Sequence, residues 1–242
     1  MAQNSYDQPD FFAGYSQFRR SLEGLAGAPE WPTLRDMLPS LQGRRVLDLG
    51  CGFGAFARSA RAAGAVHVLG IDLSERMLER AQSLTTDATI EYRKADIETL
   101  ALPGASFDVV FSSLALHYIE NCARVCATVR RLLTPGGAFV FSVEHPLLTA
   151  PANPGWQTDS SGAPVWPVND YLHEGQRVTD WITTGVVKQH RTVARHVNDL
   201  VDHGFRITRL VEWRPDAAQL AANPEWAKEV HRPMFLLVGA RL

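Results

Sequence analysis

Short apolar runs alternate along the chain with stretches whose apolar residues return at helical spacing, the rhythm of strands and helices laid down in turn. The first helical stretch covers residues 8 to 24, where Phe11, Phe12, Tyr15, Phe18 and Leu22 share a face. A shorter one, Leu34 to Leu38, stops at Pro39. Arg45–Leu49 then reads as a buried strand, followed by a helix with Phe56, Ala57, Ala60 and Ala63 inward and Gly64 at its end. Val66–Ile71 is the second strand and finishes in Asp72. Ser74 caps a helix with Met77, Leu78, Ala81 and Leu84 inward. Ile90–Arg93 and Phe107–Ser112 are the third and fourth strands. His117–Leu133 is predicted as one helix, and Thr134-Pro135-Gly136-Gly137 turns it into a fifth strand, Ala138–Val143.

Strand and helix in strict alternation predict a parallel sheet. The alternation breaks at residues 146 to 190, which hold five prolines, four glycines and three of the six tryptophans without sustained periodicity. So long an irregular segment inside a compact domain is usually functional. Beyond it a helix runs from Thr192 to a stop at Gly204, and Phe205–Trp213 and Met234–Arg241 supply two more strands. No internal repeat interrupts this order, and the length of 242 residues suits one domain with an insertion.

Composition narrows the class. The formal charge is −2, with no block of lysine and arginine and no acidic tail. Sequence-independent nucleic-acid binding needs clustered positive charge, so no nucleic-acid partner is expected. Three cysteines, an odd number, argue against a disulfide framework, and Cys122 and Cys126 read as buried apolar thiols. No signal-like N-terminus or membrane-length apolar run is present, so a cytoplasmic protein without a membrane partner is expected.

The chemistry begins at Val46-Leu47-Asp48-Leu49-Gly50-Cys51-Gly52-Phe53-Gly54. A strand running through a glycine-rich turn into a helix N-terminus makes a nucleotide-binding corner. The same letters satisfy the dinucleotide pattern, so this corner alone does not separate NAD from S-adenosylmethionine. Asp72, 22 residues past Gly50, suits the two hydroxyls of an adenosine ribose, which again fits either. Asp96, at the end of the third strand, can accept from an adenine amino group while the Ile97 N–H serves a ring nitrogen. Any one aspartate at a strand end is ordinarily a cap or turn former; three in series, at 48, 72 and 96, are harder to dismiss.

Asp48–Gly54, Gly70-Ile71-Asp72-Leu73-Ser74, Ala95-Asp96-Ile97, Phe107-Asp108-Val109-Val110 and Leu133-Thr134-Pro135-Gly136-Gly137 resemble successive motifs of class I S-adenosylmethionine-dependent methyltransferases, in particular the broad type 11 group. The resemblance spans residues 44 to 143. It implies an α/β fold, a Rossmann-like three-layer sandwich whose seven-stranded, mostly parallel sheet has one antiparallel strand. It implies S-adenosylmethionine as cofactor and a small molecule as methyl acceptor at O, N or C. The cofactor contacts expected on this basis are Tyr15, Arg19, Asp48, Gly50, Cys51, Gly52, Gly54, Asp72, Leu73, Met77, Asp96, Ile97, Ser112 and His117. An NAD(P)-dependent oxidoreductase on a similar sheet is the alternative, weakened by the absence of a Tyr-x-x-x-Lys pair and of a separate catalytic domain. A non-catalytic S-adenosylmethionine-binding regulator is another.

Methyl transfer asks the protein mainly to align nucleophile, methyl and sulfur. A base is needed at most once, and histidine is the natural choice. His117, His145 and His190 are the candidate bases or pocket histidines, the last two favoured, with Glu144 orienting a histidine or binding an acceptor amine. Residues 8 to 40 are expected to lid the cofactor and residues 146 to 190 to cap the acceptor, with Trp156, Trp166, Trp181 and Tyr171 as the cap's aromatic surface.

Overall fold

In a computed structural model, residues 3–242 are described. They form α1 (Pro9–Tyr15), α2 (Arg19–Leu22), α3 (Trp31–Met37), β1 (Arg45–Leu49), α4 (Ala55–Ala62), β2 (His67–Asp72), α5 (Glu75–Ser83), β3 (Ile90–Lys94), β4 (Phe107–Ser113), α6 (Cys122–Leu132) and β5 (Leu133–Glu144). After these come α7 (Pro146–Thr149), β6 (Gln157–Thr158), β7 (Pro164–Val165), β8 (Gly175–Trp181), β9 (Thr183–His190), α8 (Val193–Asp202), β10 (Arg206–Trp213), α9 (Ala217–Ala222) and β11 (Phe235–Arg241).

Seven strands make the main sheet in the order β10-β11-β5-β4-β1-β2-β3. The pairs β1–β2, β1–β4, β2–β3 and β4–β5 are parallel; β11 runs antiparallel to both β5 and β10. Alternate residues of each central strand feed two cores. Leu47, Leu49, Val110, Phe139 and Phe141 pack on α6 and α8, whereas Val46, Val109, Phe111 and Val140 pack on α3 and α4. The fold is therefore the expected three-layer sandwich, and the order places the carboxyl ends of β1, β2, β3, β4 and β5 along one edge, where open α/β sheets hold ligands.

Three local readings of the sequence are corrected. The helix expected over residues 8 to 24 is broken into α1 and α2. Ser16 Oγ donates back to the Phe12 carbonyl at 2.7 Å, Ser21 Oγ to that of Tyr15 at 2.7 Å, and Phe18 between them is extended. His117 sits in its own short 3₁₀ turn, Leu116–Tyr118, because the helix proper starts at Cys122 under an Asn121 cap that accepts from the Arg124 N–H at 2.9 Å. Residues 146 to 190 are not irregular throughout: β8 and β9 form a hairpin that turns at Ile182, a β-branched residue at φ +64°. Cys51, Cys122 and Cys126 are free and buried. No helix among the described residues is long and apolar enough to cross a membrane.

One carboxylate in the sheet is out of place on burial grounds. Asp48 lies in β1, 2% exposed, and its Oδ2 has no hydrogen-bond partner. Burial, and secondarily the nearby charge of Asp72, push its carboxyl up to about 8. Between the ordinary carboxylate range and that value the folded chain holds a proton that the unfolded chain has released. Stability therefore falls as pH rises through that window, by at most about 1.4 kcal/mol per pH unit for one full proton. In the ligand-free protein, the melting temperature of wild type should fall between pH 5.5 and 7.5 more steeply than that of Asp48→Asn. Parallel curves for the two proteins would show that Asp48 is ionised as in water.

Candidate active site

The corner after β1 is fixed by close approaches. Gly50 and Cys51 donate their N–H groups to the Ile71 carbonyl at 2.8 and 3.0 Å, which ties the turn to the end of β2. Gly50 has φ +75°, and a Cβ there would overlap Ala115. Gly52, at φ +51°, has nothing within 4 Å of where a Cβ would stand and borders a cavity, so bare backbone faces the open space. Asp72 spans the gap between turn and strand. Its Oδ2 accepts from the Gly52 N–H and its Oδ1 from the Ser74 N–H, both at 2.9 Å. Burial raises this carboxyl, and the two N–H groups partly offset the rise.

The cavity beside this corner encloses about 830 Å³, within the range of roughly 300–1,000 Å³ typical of small-molecule sites. Gly50, Gly52, Asp72, Leu73, Met77, Asp96 and Ile97 line it from the sheet edge. Asp96 also caps the short turn after β3, accepting from the Glu98 N–H at 2.9 Å, so the ordinary role of a strand-end aspartate and a place at the cavity coincide. Tyr15, Arg19 and His117 line it as well. Four expected contacts are not among the lining residues. Asp48, Cys51, Gly54 and Ser112 lie behind the first layer: Ser112 Oγ donates to the Leu49 carbonyl at 2.8 Å, and Gly54 opens α4.

The N-terminal segment and the β8–β9 hairpin meet beside the cavity. Trp181, at the hairpin tip, stacks on Phe18 with centroids 5.9 Å apart and meets Phe11 and Tyr15 edge-on at 5.6 and 6.4 Å. Ile182 fills the space that a Cβ on Gly14 would need. Gln3 bridges to β9, donating to the Gly185 carbonyl at 3.0 Å and accepting from the Val187 N–H at 2.8 Å. Of the two neighbouring arginines the sequence favours Arg19, but its side chain is 61% exposed and paired with Glu23 at 3.2 Å. Arg20 is the better-placed cation. It lines the cavity and is held at 2.9 Å by Glu30, a carboxylate only 1% exposed, and no sequence signal marks that pairing.

At the end of β5, Glu144 lines the cavity and pairs with Lys188 of β9 at 2.6 Å. Burial alone would raise the Glu144 carboxyl; His117 and Lys188 outweigh it and hold the group below its usual range. Lys188 lies behind, with its ammonium 4.8 Å from the centre of the Trp181 ring, a cation–π contact that locks carboxylate and roof together. His117 Nδ1 accepts the Glu144 N–H at 3.4 Å, and burial lowers its pKa to about 4, so the ring is neutral at pH 7.

The two histidines expected as bases are elsewhere. His145 caps α7, its Nδ1 accepting the Leu147 N–H at 3.1 Å while Nε2 meets Glu212 at 3.0 Å. His190 is fully buried between Thr149 Oγ1 and the Tyr171 carbonyl, each at 2.9 Å. Neither lines the cavity, and burial lowers both pKa values. Each ring is spent on protein partners, Leu147 and Glu212 for His145 and Thr149 and Tyr171 for His190. The cavity also reaches residues to which the sequence assigned no role, Tyr6 and Tyr118 near the roof and a far lobe beside residues 216–226.

These residues fit an adenosine joined to a charged amino acid. Strand-end carboxylates stand at the cavity for hydroxyl and amino groups, and an open glycine face admits close approach. Comparisons with known proteins agree. A methyltransferase-domain family matches residues 47–141. A solved S-adenosylmethionine-dependent methyltransferase from Mesorhizobium loti is 55% identical, covering 90% of this chain and 100% of its own, with a TM-score of 0.87. A Haemophilus influenzae protein without an assigned role is 35% identical over 98% of this chain and 96% of its own length. A malonyl-[acyl-carrier protein] O-methyltransferase from Erwinia billingiae is 37% identical over 57% of this chain, which spans about half of that relative (55%). The likeness to the Mesorhizobium protein covers nine tenths of this chain, and the chain belongs to the S-adenosylmethionine-dependent methyltransferases.

Proposed function

We propose that the protein methylates a free small organic molecule, held beside Glu144 under the aromatic roof. The observation that carries this reading is the cavity itself, which continues from the glycine corner past Glu144 to residues 216–226 and is covered by both Tyr15 and Trp181. A covered cavity suits a molecule that enters whole, and the weak charge of the chain offers little to a polyanion. The Erwinia relative is named for a carrier-protein acceptor; that acceptor does not carry over from a match to half its length.

S-adenosylmethionine supplies an electrophilic methyl group on a sulfonium sulfur. Asp72 would hold the ribose hydroxyls, Asp96 and Ile97 the adenine, and the Gly50–Gly52 backbone with Arg20 the amino-acid end. The remaining task is orientation and exclusion of water. Tyr15, Phe18 and Trp181 exclude water from above. Glu144, ionised and fixed by Lys188, accepts a hydrogen bond from the acceptor and so aims its nucleophile. Because Lys188 keeps Glu144 a weak base, its contribution is positioning more than proton removal.

Incubation with methyl-labelled S-adenosylmethionine and a cell extract should place label in the low-molecular-weight organic fraction; label confined to protein or RNA would refute the small-molecule reading. Asp72→Ala should weaken S-adenosylhomocysteine binding by roughly 1.5–3 kcal/mol, the loss of charge-assisted hydrogen bonds. Calorimetry showing unchanged affinity in a folded variant would remove Asp72 from the cofactor site. Lys188→Met should lower turnover and move the acid limb of the pH–rate profile upward by about a unit or more, since Glu144 loses the cation that depresses it. Cofactor affinity should stay within about threefold of wild type, and Lys188→Arg should recover much of the activity. An unshifted acid limb would show that Glu144 does not titrate in catalysis.

A further inference from the structure

The far lobe of the cavity has walls of a definite character. Ala26 and Gly27 border it from the N-terminal segment, Ala218 and Ala222 from α9, and Trp226 and Phe235 complete it. Small residues leave width, while indole and phenyl groups offer flat apolar faces that prefer another ring. The walls are tied to each other. Asp216 and Gln219 cap α9 reciprocally, the Gln219 N–H donating to Asp216 Oδ1 at 2.8 Å and the Asp216 N–H to Gln219 Oε1 at 3.0 Å. The same Gln219 reaches across to donate from Nε2 to the Pro29 carbonyl at 2.8 Å. The slot is thus pre-formed, with its width set by fixed backbone.

Charge narrows its occupant further. The cations that line the cavity already hold carboxylates, Arg20 with Glu30 at 2.9 Å and Arg19 with Glu23 at 3.2 Å. The Glu144 carboxylate is matched by Lys188 at 2.6 Å. With Arg20 assigned to the cofactor's amino-acid end and Arg19 paired with Glu23, no cation among the lining residues described is left for an acceptor carboxylate or phosphate, and Asp216 at the lobe opposes an anion further. A cation gains little from a Glu144 already neutralised by its partner. What the Glu144–Lys188 pair can still do is accept a hydrogen bond, since among the described residues the carboxylate's hydrogen-bond partner, Lys188, is bound at Oε1.

Resting on the methyl-transfer reading, we propose that this lobe is the acceptor subsite and that it takes an uncharged, flat, ring-bearing molecule whose hydroxyl donates to Glu144, with Ala218 and Ala222 setting how large a ring fits. The acceptor's ring then lies among these small and aromatic residues, and its hydroxyl reaches the end of β5, where Glu144 pairs with Phe235 of β11.

The test is a binding titration on the full chain saturated with S-adenosylhomocysteine. Three probes are compared: 2-naphthol, its anionic counterpart 2-naphthoate, and the non-aromatic alcohol cyclohexanol. Wild type should bind 2-naphthol about tenfold or more tighter than either of the others. Ala222→Trp, which fills the slot, should weaken 2-naphthol at least tenfold while S-adenosylhomocysteine stays within about twofold, a retention that also certifies folding. Equal binding of 2-naphthoate or cyclohexanol, or no binding of 2-naphthol, would overturn the proposal on wild type alone, whatever the variant does. An unaffected 2-naphthol affinity in folded Ala222→Trp would overturn the location. Failure of S-adenosylhomocysteine to bind wild type would instead overturn the methyl-transfer reading beneath it.

Discussion

A single carboxylate holds the cofactor end of this molecule in shape. Asp72 accepts from the Gly52 N–H with one oxygen and from the Ser74 N–H with the other. It thereby joins the glycine turn after β1, the end of β2 and the start of α5, elements that the parallel register of β1 and β2 brings side by side. The same group lines the cavity. Its cost is desolvation, which the two charge-assisted hydrogen bonds offset in part. With that junction made, Gly52 shows bare backbone to the cavity and a fixed carboxylate stands beside it.

The roof answers a different constraint. A methyl sulfonium must be kept from water while an acceptor is brought in line, and the sheet edge alone offers no cover. Two segments far apart in sequence supply it. Residues 3–22 and the β8–β9 hairpin meet through the Phe18–Trp181 stack, the Gly14–Ile182 approach and the two Gln3 bonds. Lys188 ties this roof to the floor, because its ammonium touches both the Trp181 ring and Glu144. Cover and acceptor-aiming group are thus mechanically one unit.

The sheet and the cofactor half were legible because their signals are local. Central parallel strands such as Val46–Leu49 and Val109–Ser112 are buried on both faces and read as near-continuous apolar runs, and the aspartates at 72 and 96 announce themselves by standing at strand ends. The acceptor half was not legible, for three reasons. The β8–β9 hairpin has one face in solvent and only Val186 deeply buried among its apolar residues, so its alternation carries little contrast. His145 and His190 look like bases until their ring nitrogens find Glu212 and Tyr171, partners 67 and 19 residues away. Ala218, Gln219, Ala222 and Asn223 supply much of a cavity wall with residue types that carry no chemical signature in a sequence.

If the methyl-transfer reading holds, the glycine corner and a roof drawn from two distant segments close on one ligand. Backbone hydrogen exchange with and without S-adenosylhomocysteine tests it most directly. The account predicts that protection rises together in residues 50–54, in residues 9–22 and in residues 175–190. Protection confined to the glycine corner, with the N-terminal helices and the hairpin exchanging as in the free protein, would contradict it.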